Sequence, residues 1–212
     1  MIATEDEDSE QPYHSVVEAS LSEPYGRSTL GKAILESENP KYVKKLLSEL
    51  PHSDVFELSR VSKRTFLHTL AEKGDLDMMK VIIHTGIDVN YADVNNWSAL
   101  HCAVNSGFQR IAKLLLQNGA KVNTRTTDAG WTPLHLASSL GHAKLCHILL
   151  SNGADPNILS NDKWSCLLLA CYAGHTVTAK YLLEYGADVN YSDPVDLETS
   201  LHKASRNGHE ET

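Results

Sequence analysis

The sequence predicts an all-α solenoid of short helix-turn-helix units, stacked in one direction and joined by short β-hairpin fingers. Gly74, Gly107, Gly141, Gly174 and Gly208 recur 33, 34, 33 and 34 residues apart, and a second series, Gly86, Gly119, Gly153 and Gly186, keeps step with it. Two phased glycine series mean one motif copied. Each copy also carries an apolar run that one pair of short helices cannot bury alone, so the copies must stack.

The elements of a copy follow in order. It opens as Thr65-Phe66-Leu67-His68, then Ser98-Ala99-Leu100-His101, Thr132-Pro133-Leu134-His135, Ser165-Cys166-Leu167-Leu168 and Thr199-Ser200-Leu201-His202. A Thr or Ser side chain caps a helix by accepting from an orphan backbone amide, and Pro133 has the fixed angle that a first turn wants. Ala103, Ala137, Ala170 and Ala204 let neighbouring first helices approach closely. The first glycine series ends those helices in the left-handed conformation. The second helices carry Ile111, Leu114, Leu115 and Leu116, then Leu145, Ile148, Leu149 and Leu150, then Ala179, Leu182 and Leu183. At about 25 cal/mol per Å² of apolar area, most stability lies between copies.

The openings resemble the Thr-Pro-Leu-His motif of the ankyrin repeat family. The resemblance continues through closings like Gly-Ala-Asp-Val-Asn at Gly86 to Asn90, Gly119 to Asn123, Gly153 to Asn157 and Gly186 to Asn190. It implies that His68, His101, His135 and His202 bond to backbone or Thr groups within and between repeats. His142, His175 and His209, which follow the turn glycines, fill a slot that the family also gives to structural histidine. Asn90, Asn123, Asn157 and Asn190 end the closing motif. In the family such asparagines resemble substrates of an asparaginyl hydroxylase, beside their role of holding the turn through side-chain bonds.

Both ends depart from the pattern. Residues 28–64 read as a degenerate N-terminal capping repeat: Ser28-Thr29-Leu30 opens it, Ala33 takes the small position, Lys44-Lys45-Leu46-Leu47 resembles a second helix, and Ser37 replaces the glycine. Residues 65–212 then hold four complete repeats and a last one truncated at Thr212, leaving the face beyond Leu182 and Leu183 half covered.

Charge is uneven. The 212 residues carry a net charge of -8, but residues 1–27 hold seven acidic side chains and one basic, so the acidity belongs to an N-terminal tail. Its first ten residues have the composition of a disordered segment. Asp8-Ser9-Glu10 lacks the glycine of the Asp-Ser-Gly degradation motif found in ankyrin inhibitors of transcription factors. The near-neutral remainder offers no summed field for a phosphate backbone, which argues against nucleic acid. Lys41, Lys44 and Lys45, with Arg60, Lys63 and Arg64, read as a solvated face rather than an anion-facing patch. Cys102, Cys146, Cys166 and Cys171 sit in apolar segments without zinc-site spacing and read as reduced core residues. No apolar run is long enough for membrane insertion, and the acidic start is unlike a secretory signal. A cytoplasmic or nuclear setting follows.

No metal-protease helix, phosphate-cradling loop or serine elbow appears, so no catalytic residue, metal or cofactor is implied. The resemblance implies protein partners, held through finger tips and the concave first-helix face by a chain that is otherwise monomeric. The tips place Asn95, Asp128 and Asp162 there, and the helices place Asn105, Leu140 and Tyr172. The only tryptophans, Trp97, Trp131 and Trp164, each precede a helix cap and predict a ladder along one side. Two readings of the ladder stand: a row of binding hot spots, or rings that pack across their own hairpins. Two functions stand as well: an adaptor or inhibitor, or the recruiting domain of a larger enzyme or ubiquitin-ligase component.

Overall fold

The computed structural model describes residues 39–49 and 64–212. The acidic tail and most of the expected capping repeat lie outside these residues.

Ten helices form among the described residues: α1 (Pro40–Glu49), α2 (Phe66–Lys73), α3 (Leu76–Ile83), α4 (Ala99–Asn105), α5 (Gln109–Gln117), α6 (Pro133–Ser139), α7 (Ala143–Ser151), α8 (Cys166–Tyr172), α9 (Thr176–Glu184) and α10 (Ser200–Arg206). They make two layers. The first helices α2, α4, α6, α8 and α10 pack in sequence, and the second helices α1, α3, α5, α7 and α9 pack in sequence behind them. Each first helix also packs on the second helix of its own repeat, from α2 on α3 to α8 on α9.

The small residues do what their size requires. Ala103, Ala137 and Ala170 are fully buried where first helices meet, and Ala204 nearly so. Phe66, Met78, Met79, Ile82, Ile111 and Leu115 join Leu134, Leu145, Leu149 and Leu182 in one continuous core. All four cysteines are free and buried within it. Burial raises their thiols, to about 12 at Cys146 and about 11 at Cys171, so they stay protonated and inert.

The turn glycines have a second reason beyond a positive φ. At Gly141 (φ +66°) the His175 ring of the next repeat lies 2.5 Å from where a Cβ would stand, and His209 crowds Gly174 in the same way. The turns at Gly74, Gly107, Gly141 and Gly174 are each roofed by a ring of the following copy. His175 Nε2 then donates to the Ser139 carbonyl at 3.0 Å, and His209 Nε2 to that of Tyr172 at 3.1 Å.

The fingers are simpler than hairpins with paired strands. Among the described residues there are only isolated bridges, Ala92 with Ser98 and Ser192 with Thr199. Each finger is closed across its base by a backbone bond: Asp93 N to Trp97 O, Thr126 N to Trp131 O, Ser160 N to Trp164 O and Asp193 N to Glu198 O, all 2.9 Å. A loop this short turns through one left-handed residue, and Asn96, Gly130, Lys163 and Leu197 take that place. Asn and Gly adopt it cheaply, whereas Lys163 and Leu197 carry a strain of about 1 kcal/mol each.

Candidate functional site

The finger side is built on a ladder of caps. His135 shows how it works. Thr132 Oγ1 accepts from the His135 amide at 3.4 Å, and the imidazole Nδ1 accepts from the Thr132 amide at 3.2 Å. The same reciprocal box forms at Thr65 with His68, Ser98 with His101 and Thr199 with His202. The third position of a capping box is usually Glu or Gln; an imidazole serves here because it has a second nitrogen to spare.

That second nitrogen links repeats. Nε2 of His68 lies 3.0 Å from the carbonyl of Trp97, and His101 and His135 reach Trp131 and Trp164 at 3.3 Å. A carbonyl can only accept, so Nε2 carries the hydrogen and Nδ1 is the acceptor. Each Trp carbonyl thus accepts twice, from its own finger and from the preceding repeat. The expectation for these three histidines holds in both halves, within and between repeats. Burial is the main reason they resist protonation: His68 falls to about 3, and His101 and His135 to about 4. The fourth repeat breaks the ladder, because Leu168 stands in the imidazole slot.

The fingers are laced sideways. Thr127 N donates to Asn95 O at 2.9 Å, Asn161 N to Ala129 O at 2.8 Å, and Asn161 Nδ2 to Asp128 O at 2.6 Å. Arg125 donates to Leu159 O at 2.9 Å and Tyr191 to Lys163 O at 2.7 Å. Asn95 is therefore half-buried with its backbone engaged, while the side chains of Asp128 and Asp162 stand exposed. Sequence reasoning places Asn161 at a finger tip but misses its bonds, and it misses Arg125; both reach across to the neighbouring finger, more than 30 residues away.

The three tryptophans differ. Trp97 is only 7% exposed and belongs to the core, against the ring of His101 at 5.4 Å. Trp131 stacks on His135 at 6.5 Å and 22°, and remains half-buried. Trp164 meets Tyr172 edge-on at 5.5 Å, which brings two of the expected binding residues together. Tyr172 is 52% exposed; Asn105 and Leu140, at the ends of α4 and α6, are half-buried.

Register explains what flanks the ladder. Arg64 occupies the slot before Thr65 that tryptophan holds in the next three repeats. It is not part of a solvated face: it is 3% exposed, paired with Glu72, 4.0 Å from Asp93 and 3.0 Å from Cys102 Sγ. A guanidinium carries its hydrophobic plane into such a slot only with carboxylates beside it. At the other end the buried Lys203 ammonium lies 5.1 Å from the centre of the Trp164 ring. It meets Asp196 and Glu198 at 3.0 Å and Asp193 at 3.5 Å. Burial pulls its pKa down, but the bonds and charges of Glu198 and Asp196 outweigh that and raise it.

The asparagines of the closing motif also bridge repeats. Asn90 Nδ2 donates to Gly119 O at 3.0 Å while its Oδ1 accepts from Lys121 N at 2.7 Å. Asn123 makes the same pair with Gly153 and Asp155, and Asn157 with Gly186 and Asp188. The Asn190 backbone amide bonds to the Asp188 carboxylate, as those of Asn90 and Asn157 do to Asp88 and Asp155.

Stacked, capped helix pairs with laced fingers define a repeat scaffold whose exposed residues vary over a fixed frame. The chain belongs to the ankyrin repeat family: the model for ankyrin repeats (3 copies) matches residues 30–126 and 134–212. An ankyrin repeat protein of fowlpox virus (strain NVSL) is 32% identical over 145 residues, 67% of this chain and 42% of that protein. The palmitoyltransferase akr1 of Schizosaccharomyces pombe is 43% identical over 145 residues, 68% of this chain and 22% of its own. Protein phosphatase 1 regulatory subunit 12A of Mus musculus is 35% identical over 60 residues, 28% and 6% respectively. The chain thus spans less than half the length of each. The repeats are an interaction module, and no helix among the described residues is long and apolar enough to cross a membrane.

Proposed function

We propose that the chain is an adaptor or inhibitor that holds a partner protein along its finger tips and first-helix side. The observation that carries this is the joined pair Trp164 and Tyr172, with half-buried Trp131 beside it, on a frame already fixed by its own bonds. Large aromatic rings with little left to order bind at low entropic cost. Asp128 and Asp162 supply polar contacts at the tips, and Asn105 and Leu140 extend the contact along the helix ends. Trp97 has little surface left to give and serves as the base of the row.

Replacing Trp131 with Ala is expected to weaken partner binding, measured by calorimetry, by at least about 2 kcal/mol. Unchanged affinity with lowered stability contradicts the role. A second reading is favoured by length: relatives such as the palmitoyltransferase extend well beyond the matched segment, so the same face serves equally as the recruiting domain of a larger protein. Mass analysis of the endogenous protein separates the two, since a chain much longer than 212 residues supports recruitment.

A further inference from the structure

The second-helix side carries a charge pattern that the finger side does not. Counting five residues from the residue before each second helix gives Lys44, Lys80, Lys113, His147 and Lys180, all exposed. Their helices pack consecutively from α1 to α9, so these side chains form a column across the array. Arg110 and Lys144, three residues earlier on their helices, stand alongside. Asp77 pairs with Lys80 at 3.1 Å, and Glu184 lies one turn beyond Lys180. Lys44, Lys113 and Lys180 have no carboxylate partner among the described residues. Between α5 and α7 the column crosses a cavity of about 330 Å3 lined by Lys113, Gln117, His147, Ile148, Ser151 and Asn152. The far side of His147 is walled by Tyr181 at 5.0 Å and Tyr185 at 6.0 Å.

We propose that this column is a docking groove for an extended acidic segment of a partner protein, with a carboxylate at every third residue. Packed helices lie about 8 to 10 Å apart. A polyproline II segment has three residues per turn and rises about 3.1 Å per residue. Every third side chain therefore faces the same way at about 9 Å intervals, in step with the column. One carboxylate enters the cavity between Lys113 and His147, and its neighbours meet Lys180 and the cations of α1 and α3. The partner's own backbone spans the helices and needs no strand edge, which this face does not offer.

The test uses the full chain and two labelled twelve-residue peptides of equal composition, one repeating Glu-Pro-Pro and one with its four glutamates contiguous. Fluorescence anisotropy reads binding at low and physiological salt. The expected result is at least about tenfold tighter binding of the periodic peptide, lost by a similar factor in a Lys113→Glu, Lys180→Glu double variant with unchanged melting. The amide resonances of Gln117, His147 and Asn152 shift on binding, and an Asp128→Ala variant at the fingers binds normally. Equal affinity for both peptides, or binding indifferent to the double variant, overturns the proposal. So does capture of phosphatidylserine-containing vesicles without either peptide. So does peptide binding that appears only after Glu5, Asp6, Glu7 and Asp8 are changed to their amides, which would make the chain's own segment the occupant.

Discussion

The first three junctions of the finger side and the last one solve the same problem with different chemistry. From Thr65 to Trp164 a neutral imidazole joins each cap to the next Trp carbonyl. At the last junction Leu168 has no such nitrogen, and Lys203 ties the finger to α10 and Trp164 through three carboxylates. The neutral ladder needs dryness, and the ionic latch needs charge. The difference teaches that the junction between copies, rather than any one residue type, is what the fold maintains, and that the two regions answer opposite ends of the pH scale.

The largest expected effect tests the neutral ladder. His68, His101 and His135 have pKa values near 3 to 4 in the folded chain and an ordinary value near 6.5 unfolded. Below pH 6.5 the unfolded chain binds protons that the folded one refuses, so stability falls as pH falls, and the loss levels off only after pH has passed through the folded values near 4 and then 3. At pH 5 each histidine costs about 2 kcal/mol relative to pH 7, roughly 6 together. Urea unfolding at the two pH values measures this, and a flat response breaks the comparison. Next in size, His135→Ala strips the Thr132 amide of its acceptor and opens a void, at an expected cost of about 2 to 4 kcal/mol with a weakened pH dependence. Smallest is Lys203→Met, at about 1 to 2 kcal/mol. The raised pKa of Lys203 means its contribution is present below its unfolded pKa near 10.5 and fades as pH rises through the folded one. The variant is therefore expected to lose alkaline and salt sensitivity while keeping the acid response, as read by thermal melting.

Much of the fold was legible because it repeats. The glycine series, the capping Thr or Ser, the small Ala positions and the histidine slot all state a local requirement once per copy, and copies corroborate one another. The candidate site was legible only in outline. Arg64 looks solvated within the basic run of residues 60–64, yet counting from the Thr65 cap places it in the tryptophan slot, a signal available in the sequence. Trp97, Trp131 and Trp164 share one slot and differ in burial, because exposure depends on neighbours from adjacent repeats. The bonds of Asn161 and Arg125 were invisible for a similar reason: they run sideways between fingers, and no local pattern encodes them. The column from Lys44 to Lys180 emerged only once the helix starts were fixed to the residue.

The central claim is that a partner protein is held on the finger and first-helix side. The most direct measurement is quantitative capture from native cells with three folded baits: the wild type, a Trp131→Ala, Tyr172→Ala variant, and the Lys113→Glu, Lys180→Glu variant as a second-helix control. The account predicts at least one protein retained by the wild type and the control but lost with the Trp131 and Tyr172 changes, at equal bait stability. If every specifically captured protein survives those two changes, the claim is contradicted.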